Sequence, residues 1–219
     1  MELIKTKDFT EKNLVQKIYD VLTKDGIVLL PFDVGYALIC TTKNALEKII
    51  RMKKRPLGRP CVVLGNHTIF KEIISMKKAE ILDNFPYPIG LIGKVRRTKV
   101  MEKLPTKLIL KNKIGVFINM GNLGNEIALY LWDRGKLVYG SSANISNNGN
   151  HYLLRDVEEE IKNSSDLIID CGKTKYGAVD PTTNKNLGST VFDIVDKKII
   201  RKGILFKKIN IELKKMKLL

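Results

Sequence analysis

Apolar residues recur along this chain with two periods, and their alternation predicts an α/β protein. Val15, Ile18, Tyr19 and Leu22 fall at helical spacing behind Thr10, a candidate N-cap, and Asp25-Gly26 ends that helix. Ile27-Val28-Leu29-Leu30 is then a continuous apolar run closing at Pro31, the pattern of a buried strand. Residues 36–40 predict a second strand, Ala45, Ile49, Ile50 and Met52 an amphipathic helix, and residues 61–64 a third strand. Short helices are predicted at 69–74, 79–82, 126–132 and 156–161. Strands are predicted at 90–95, 108–110, 114–118, 137–139, 167–170, 190–194 and 198–201. Residues 171–187 form the one long irregular segment, and loops of that length in a compact domain usually carry function. No linker interrupts the pattern. The reading is one domain over residues 1–206, built on an open mixed sheet with flanking helices, and a basic tail over 207–219 whose lysines alternate with apolar residues as in a frayed helix.

Composition narrows the setting. No apolar run approaches the roughly 18 to 20 residues that span a bilayer, so a membrane role is not expected. Met1-Glu2-Leu3-Ile4-Lys5 lacks the apolar core of a signal peptide. Cys40, Cys61 and Cys171 are widely spaced beside apolar runs and read as buried thiols of a reduced, cytoplasmic compartment. With only two histidines, His67 and His151, a histidine-rich metal centre is excluded, and no structural metal is expected. Charge is the outlier, since 39 Lys and Arg against 23 Asp and Glu give +16. Such a surplus favours polyanions such as nucleotides or RNA, and says nothing about reaction type.

Three stretches could carry chemistry. Residues 52–60 hold Lys53, Lys54, Arg55 and Arg59 together with Pro56 and Pro60, which reads as a stiff, extended connection able to hold an anion. Lysine would supply a point charge there and arginine a planar fork. Ser142-Ala143-Asn144 follows a buried strand within a run of small residues that would let a ligand approach the backbone. Gly188-Ser189-Thr190 precedes another strand, and Lys94 to Lys99 forms a second cationic patch. Neither a P-loop nor a Gly-x-Gly-x-x-Gly turn is present. Taken singly, the first stretch is equally a solvated basic loop, and the two small-residue stretches read first as strand-end turns.

Taken in order they carry a resemblance. Pro31-Phe32-Asp33-Val34-Gly35-Tyr36-Ala37-Leu38, Lys53-x-Arg55-Pro56 with Pro60, residues 86–92, Ser142-Ala143-Asn144, Ser189-Thr190-Val191-x-Asp193 and Arg201-Lys202-Gly203 resemble the YrdC-like threonylcarbamoyl-adenylate synthases. The resemblance implies an open twisted sheet with a basic groove. It also implies conversion of threonine, bicarbonate and ATP, with its Mg²⁺, to threonylcarbamoyl-AMP and pyrophosphate, and a partner transferase that modifies tRNA. Lys53 and Arg55 would neutralise the triphosphate, Ser142 and Asn144 would hold nucleotide oxygens, and Arg201 would clamp from the last strand. Phe32, Tyr36, Leu64, Phe117 and Ser189 would form the substrate pocket.

Against the family's usual Pro-Thr-Asp-Thr-Val-Tyr-Gly-Leu, this chain replaces both threonines with Phe32 and Val34. Leu64 stands where the resemblance implies a histidine, and Phe117 where it implies an arginine for the threonine carboxylate. The acceptor is therefore expected to be threonine or something less polar. Two further readings remain: a carbamoyl-adenylate enzyme with another substrate, and a non-catalytic module for double-stranded RNA or tRNA.

Overall fold

The computed structural model describes residues 2–5, 11–56, 60–96 and 104–219. Thr10, Arg59 and residues 97–99 of the second cationic patch lie outside them. In chain order the strands are β1 (Glu2–Lys5), β2 (Val28–Phe32), β3 (Gly35–Cys40), β4 (Val62–Leu64), β5 (Ile89–Lys94), β6 (Ile109–Leu110), β7 (Lys113–Ile118), β8 (Val138–Ser142), β9 (Leu167–Asp170), β10 (Thr190–Asp193) and β11 (Lys198–Arg201). The helices are α1 (Glu11–Leu22), α2 (Lys43–Met52), α3 (His67–Ile73), α4 (Asn122–Trp132), α5 (Glu159–Asn163) and α6 (Phe206–Lys215). Among the described residues these strands make one open sheet, ordered β1-β9-β2-β3-β8-β4-β7-β5-β10-β11, with β6 beside β7. It is mixed: β9, β4 and β10 run parallel to β2, β7 and β5, while β3 and β8 are antiparallel to their neighbours.

Local chemistry accounts for the elements. All five residues of β2 are buried, as a central strand covered on both faces requires. Pro31 is tolerated within it because β9 pairs only Val28 and Leu29, so no ladder bond is lost at the proline. The Thr42 hydroxyl caps α2 through the Ala45 N–H (3.1 Å), and Asn66 caps α3 through Ile69 (2.9 Å). No helix among the described residues is long and apolar enough to cross a membrane.

The structure departs from the sequence reading in several places, beginning with β1, which the sequence reading did not predict. Helix α4 begins at Asn122, ahead of the expected start at 126, because Gly124 packs on the ring of Phe32 and joins the buried face of Ile127 and Leu131. Strand β8 runs on through Gly140-Ser141-Ser142, since these residues pair with Ala37 to Ile39 of β3. The basic tail expected from residue 207 is largely the body of α6, whose Ile209 and Leu213 are fully buried while Lys207, Lys208, Lys214 and Lys215 face solvent. Cys171 is exposed, unlike Cys40 and Cys61, because the chain leaves the sheet at the end of β9.

Candidate functional site

A cleft of about 960 Å³ opens over the sheet. That volume is near the upper end for small-molecule sites and leaves room for a nucleotide beside a second small substrate. The chain reaches it from β2, β3, β4, β7, β8, β10 and β11. Its lining includes all ten residues singled out in the sequence: Phe32, Tyr36, Lys53, Arg55, Leu64, Phe117, Ser142, Asn144, Ser189 and Arg201.

Their roles differ sharply. Lys53 is not on an extended connection. It is the αR C-cap of α2, its N–H bonded to Ile49 O, and the left-handed Lys54 (φ 48°) then turns the chain. The cap geometry directs the Lys53 side chain inward, where only 1% of the residue is exposed. Its ammonium donates to the backbone oxygens of Ser142 and Asn144, and to Asn144 Oδ1 at 3.4 Å. Ser146 N–H returns a bond to Lys53 O (3.1 Å). Lys53 is thus the post around which residues 142–146 wrap. Burial lowers its pKa most and nearby Arg55 lowers it further, to about 7, while Glu158 works in the opposite sense.

Asn144 is likewise buried, with its Nδ2 given to Ile145 O (2.7 Å). Ser142, exposed at the end of β8, lines the cleft. Arg55 donates to Ser141 Oγ (2.9 Å) and to Pro60 O (2.7 Å). Arg201 donates from Nε to Ser189 O (2.7 Å), and its guanidinium lies along Gly188. Its pKa is pulled down, first by desolvation within the concavity and then by the charge of Arg55, although its surface remains open to the solvent of the cleft. A guanidinium disfavoured in this way gains from an anion beside it.

The opposite wall is apolar. Phe117 of β7 lies over Gly90 of β5, its register partner, so closely that a Cβ there would be 2.1 Å from the ring. Leu64 is the register partner of Phe117 on β4, and Phe32, Val34 and Met120 extend the same lining. Ser189 is buried on this lining, its hydroxyl reaching the Met120 sulfur at 4.0 Å. Tyr36 lines the cleft, as expected. Its hydroxyl donates toward Asp170 (2.9 Å) and Gly172 O (2.9 Å), tying β3 to the end of β9. Burial and the Asp170 carboxylate both raise that phenol's pKa.

Sequence reasoning missed the supports behind the site. Glu158 accepts from Ile145 N–H (3.1 Å), Asn148 Nδ2 (3.0 Å) and faces His151 Nε2 (3.0 Å). Residues 178–187 fold back as a strap whose Asp180, Thr183, Lys185 and Asn186 border the cleft. The Tyr152 hydroxyl holds the base of the strap, sharing its proton between Ala178 O and Leu187 O (2.6 Å each) and accepting from Ala178 N (3.1 Å). Tyr152→Phe is expected to cost about 1–3 kcal/mol, because those backbone groups lose a buried partner. A denaturant melt measures the loss, and limited proteolysis should cut first within 178–187.

Comparison with known proteins adds to this geometry. The family model for Sua5, YciO and YrdC proteins, described as telomere recombination, matches residues 20–203. A Methanocaldococcus jannaschii protein provisionally named a threonylcarbamoyl-AMP synthase is 25% identical over 218 residues, covering 93% of this chain and 94% of its own. YciO of Escherichia coli is 25% identical over 213 residues, covering 90% of this chain and 92% of its own, and its crystal structure superposes with a TM-score of 0.72. Sua5 of P. abyssi, crystallised with L-threonine, superposes with a TM-score of 0.73 at 19% identity, which supports the fold alone. The match covers 92% of this chain and 57% of that one, so the chain spans little more than half of the Sua5 protein.

Proposed function

The chain belongs to the Sua5/YciO/YrdC family, and from that premise we propose that its cleft binds ATP and activates a carbamate as its adenylate. The observation that carries the reading is the convergence of Arg55, Arg201, Ser142 and the Lys53-centred loop on one cleft. In this reaction the amine of a small acceptor first combines with bicarbonate, losing water, to give a carbamate. A carbamate oxygen attacks the α-phosphorus, the bond from that phosphorus to the bridging oxygen breaks, and pyrophosphate leaves. Arg55 and Arg201 meet the charge that builds on the departing group, and Ser142 offers a hydroxyl to a phosphate oxygen. Lys53 contributes indirectly by fixing the loop. Magnesium bound to the nucleotide would help neutralise its phosphate charge; of the carboxylates, Asp180 and Asp193 border the cleft and would be the ones to meet it. Positioning and electrostatics carry such a transfer, so no dedicated base is required.

Pyrophosphate release with ATP, bicarbonate and candidate acceptors tests this reading. Release that depends on both bicarbonate and an acceptor supports it, and absence of nucleotide binding removes it.

The exposed lysines of α6 favour a second reading, in which RNA is held electrostatically. Log affinity should then fall with log salt, by about 0.9 per duplex phosphate neutralised. Replacing Lys207, Lys208, Lys214 and Lys215 by glutamine should flatten that slope, as measured by fluorescence anisotropy. An unchanged slope removes α6 from the footprint.

A further inference from the structure

We propose that Glu158, outside the cleft lining, is a positioning residue that holds the loop 142–148 in its nucleotide-receiving shape from the side opposite Lys53. The proposal rests on the nucleotide reading of the cleft.

The loop has two kinds of backbone group to satisfy. Its carbonyls at Ser142 and Asn144 turn toward the Lys53 ammonium. An N–H on the other side, that of Ile145, points to Glu158 Oε1 (3.1 Å), which also takes Asn148 Nδ2 (3.0 Å). A cation therefore gathers two carbonyls of the loop, and an anion gathers one of its N–H groups and the Asn148 amide. Neither charge can do the work of the other, because an ammonium only donates and a carboxylate only accepts.

Glu158 is itself fixed. It is the N-cap of α5, with its carbonyl accepting from Ile161 (3.0 Å) and Lys162 (3.1 Å). Its second oxygen faces His151 Nε2 at 3.0 Å, and the Glu158 side chain is 26% exposed. Partial burial works to raise its carboxyl, but the donors from Asn148, the backbone and His151 prevail and hold it below the ordinary range. Glu158 also bears on Lys53, whose protonated form its charge favours. The carboxylate thus supports the loop directly through hydrogen bonds and indirectly through the charge of the opposing post. Charge-assisted bonds of this kind are about twice as strong as neutral ones. Their loss would let the Ile145 N–H swing from its partner, and the Ser142 and Asn144 groups would move with it.

The test titrates a non-hydrolysable ATP analogue into wild type, Glu158→Ala, Glu158→Gln and Asn148→Ala, below the melting temperature of each. Deuterium exchange over residues 143–148 is followed on the nucleotide-free proteins. Glu158→Ala is expected to bind about tenfold more weakly and to exchange faster at Ile145. Glu158→Gln should recover most of both, because its amide oxygen still accepts from Ile145 and Asn148. Asn148→Ala, at an exposed position, should show part of the loss even if Glu158→Ala does not fold. A Glu158→Ala protein with lower melting temperature but wild-type affinity and exchange overturns the proposal. A loss of affinity that glutamine does not recover overturns the hydrogen-bond account. Wild type that binds no nucleotide sinks the reading of the cleft instead, and the exchange data alone then decide whether Glu158 holds the loop.

Discussion

Lys53→Met is expected to lower fold stability by about 3 kcal/mol or more, while Arg55→Ala leaves stability nearly unchanged and weakens nucleotide binding. The two cations are neighbours in sequence with opposite duties. Methionine at 53 can fill the space of the lysine stem, but the oxygens of Ser142, Asn144 and its side chain then lose their donor inside the protein. Each such orphaned acceptor costs roughly 1–3 kcal/mol. Arg55 instead serves Ser141 Oγ and Pro60 O at the half-buried edge of the cleft, where water can replace it. A hydrogen bond to a charged group is worth about 1.5–3 kcal/mol, so Arg55→Ala should lose one to two decades of affinity for an ATP analogue. Urea melts and calorimetric titration separate the two outcomes. Equal stability of Lys53→Met and wild type would remove Lys53 from its post, and unchanged affinity in Arg55→Ala would remove Arg55 from the site.

The same lysine gives a signed pH effect. Burial holds its folded pKa near 7, against an ordinary 10.5 once unfolded. Between those values the unfolded chain binds a proton that the native state lacks, so stability contributed at this position rises with pH. Below about 7 both states are protonated and the cost of the buried charge is fully present. The stability difference between wild type and Lys53→Met should therefore move in favour of wild type from about pH 7 to about pH 10. A difference independent of pH in that window contradicts the lowered value.

What could be read from the sequence follows from how local each signal is. The strands around Val28 to Leu30 and Leu167 to Ile169 announce themselves because a central strand is apolar on both faces. The cleft residues were visible as short motifs, but the division of labour among them was not. Lys53 and Asn144 are far apart in the chain, and only the pairing of β8 with β3 and β4 brings the loop over the end of α2. Glu158 had no signal at all: an acid before a short helix reads as a solvated helix start, and its role depends on what packs beside it. The periodic Ile209 and Leu213 of α6 were present in the sequence, yet the lysines between them masked the buried face. Tyr36 was correctly near the cleft, while the direction of its hydroxyl depended on Asp170 of a distant strand.

Threonine is expected to be a weak substrate, at least about tenfold poorer in affinity than an acceptor of similar size without a carboxylate. Binding free threonine strips water from a carboxylate, which is costly unless a cation or several donors replace it. The wall formed by Phe32, Val34, Leu64, Phe117 and Met120 supplies none from its side chains. The buried Ser189 hydroxyl can offer one neutral hydrogen bond there. Of the nearby cations, Lys53 is committed to the loop and Lys113 to Asp193 and Asp196 at 2.8 Å each. One missing charge-assisted bond accounts for about 1.5–3 kcal/mol, which sets the tenfold floor. The measurement is pyrophosphate release with ATP and bicarbonate across threonine, serine, apolar amino acids, their decarboxylated amines, carbamoyl phosphate and no acceptor. Phe117→Arg, which places a guanidinium on the apolar wall beside Leu64, should raise the response to threonine specifically. Robust, saturable turnover of threonine by wild type at sub-millimolar concentration would mean that Arg55 or Arg201 reaches the carboxylate after all, and the apolar wall would then hold only the methyl group of the side chain.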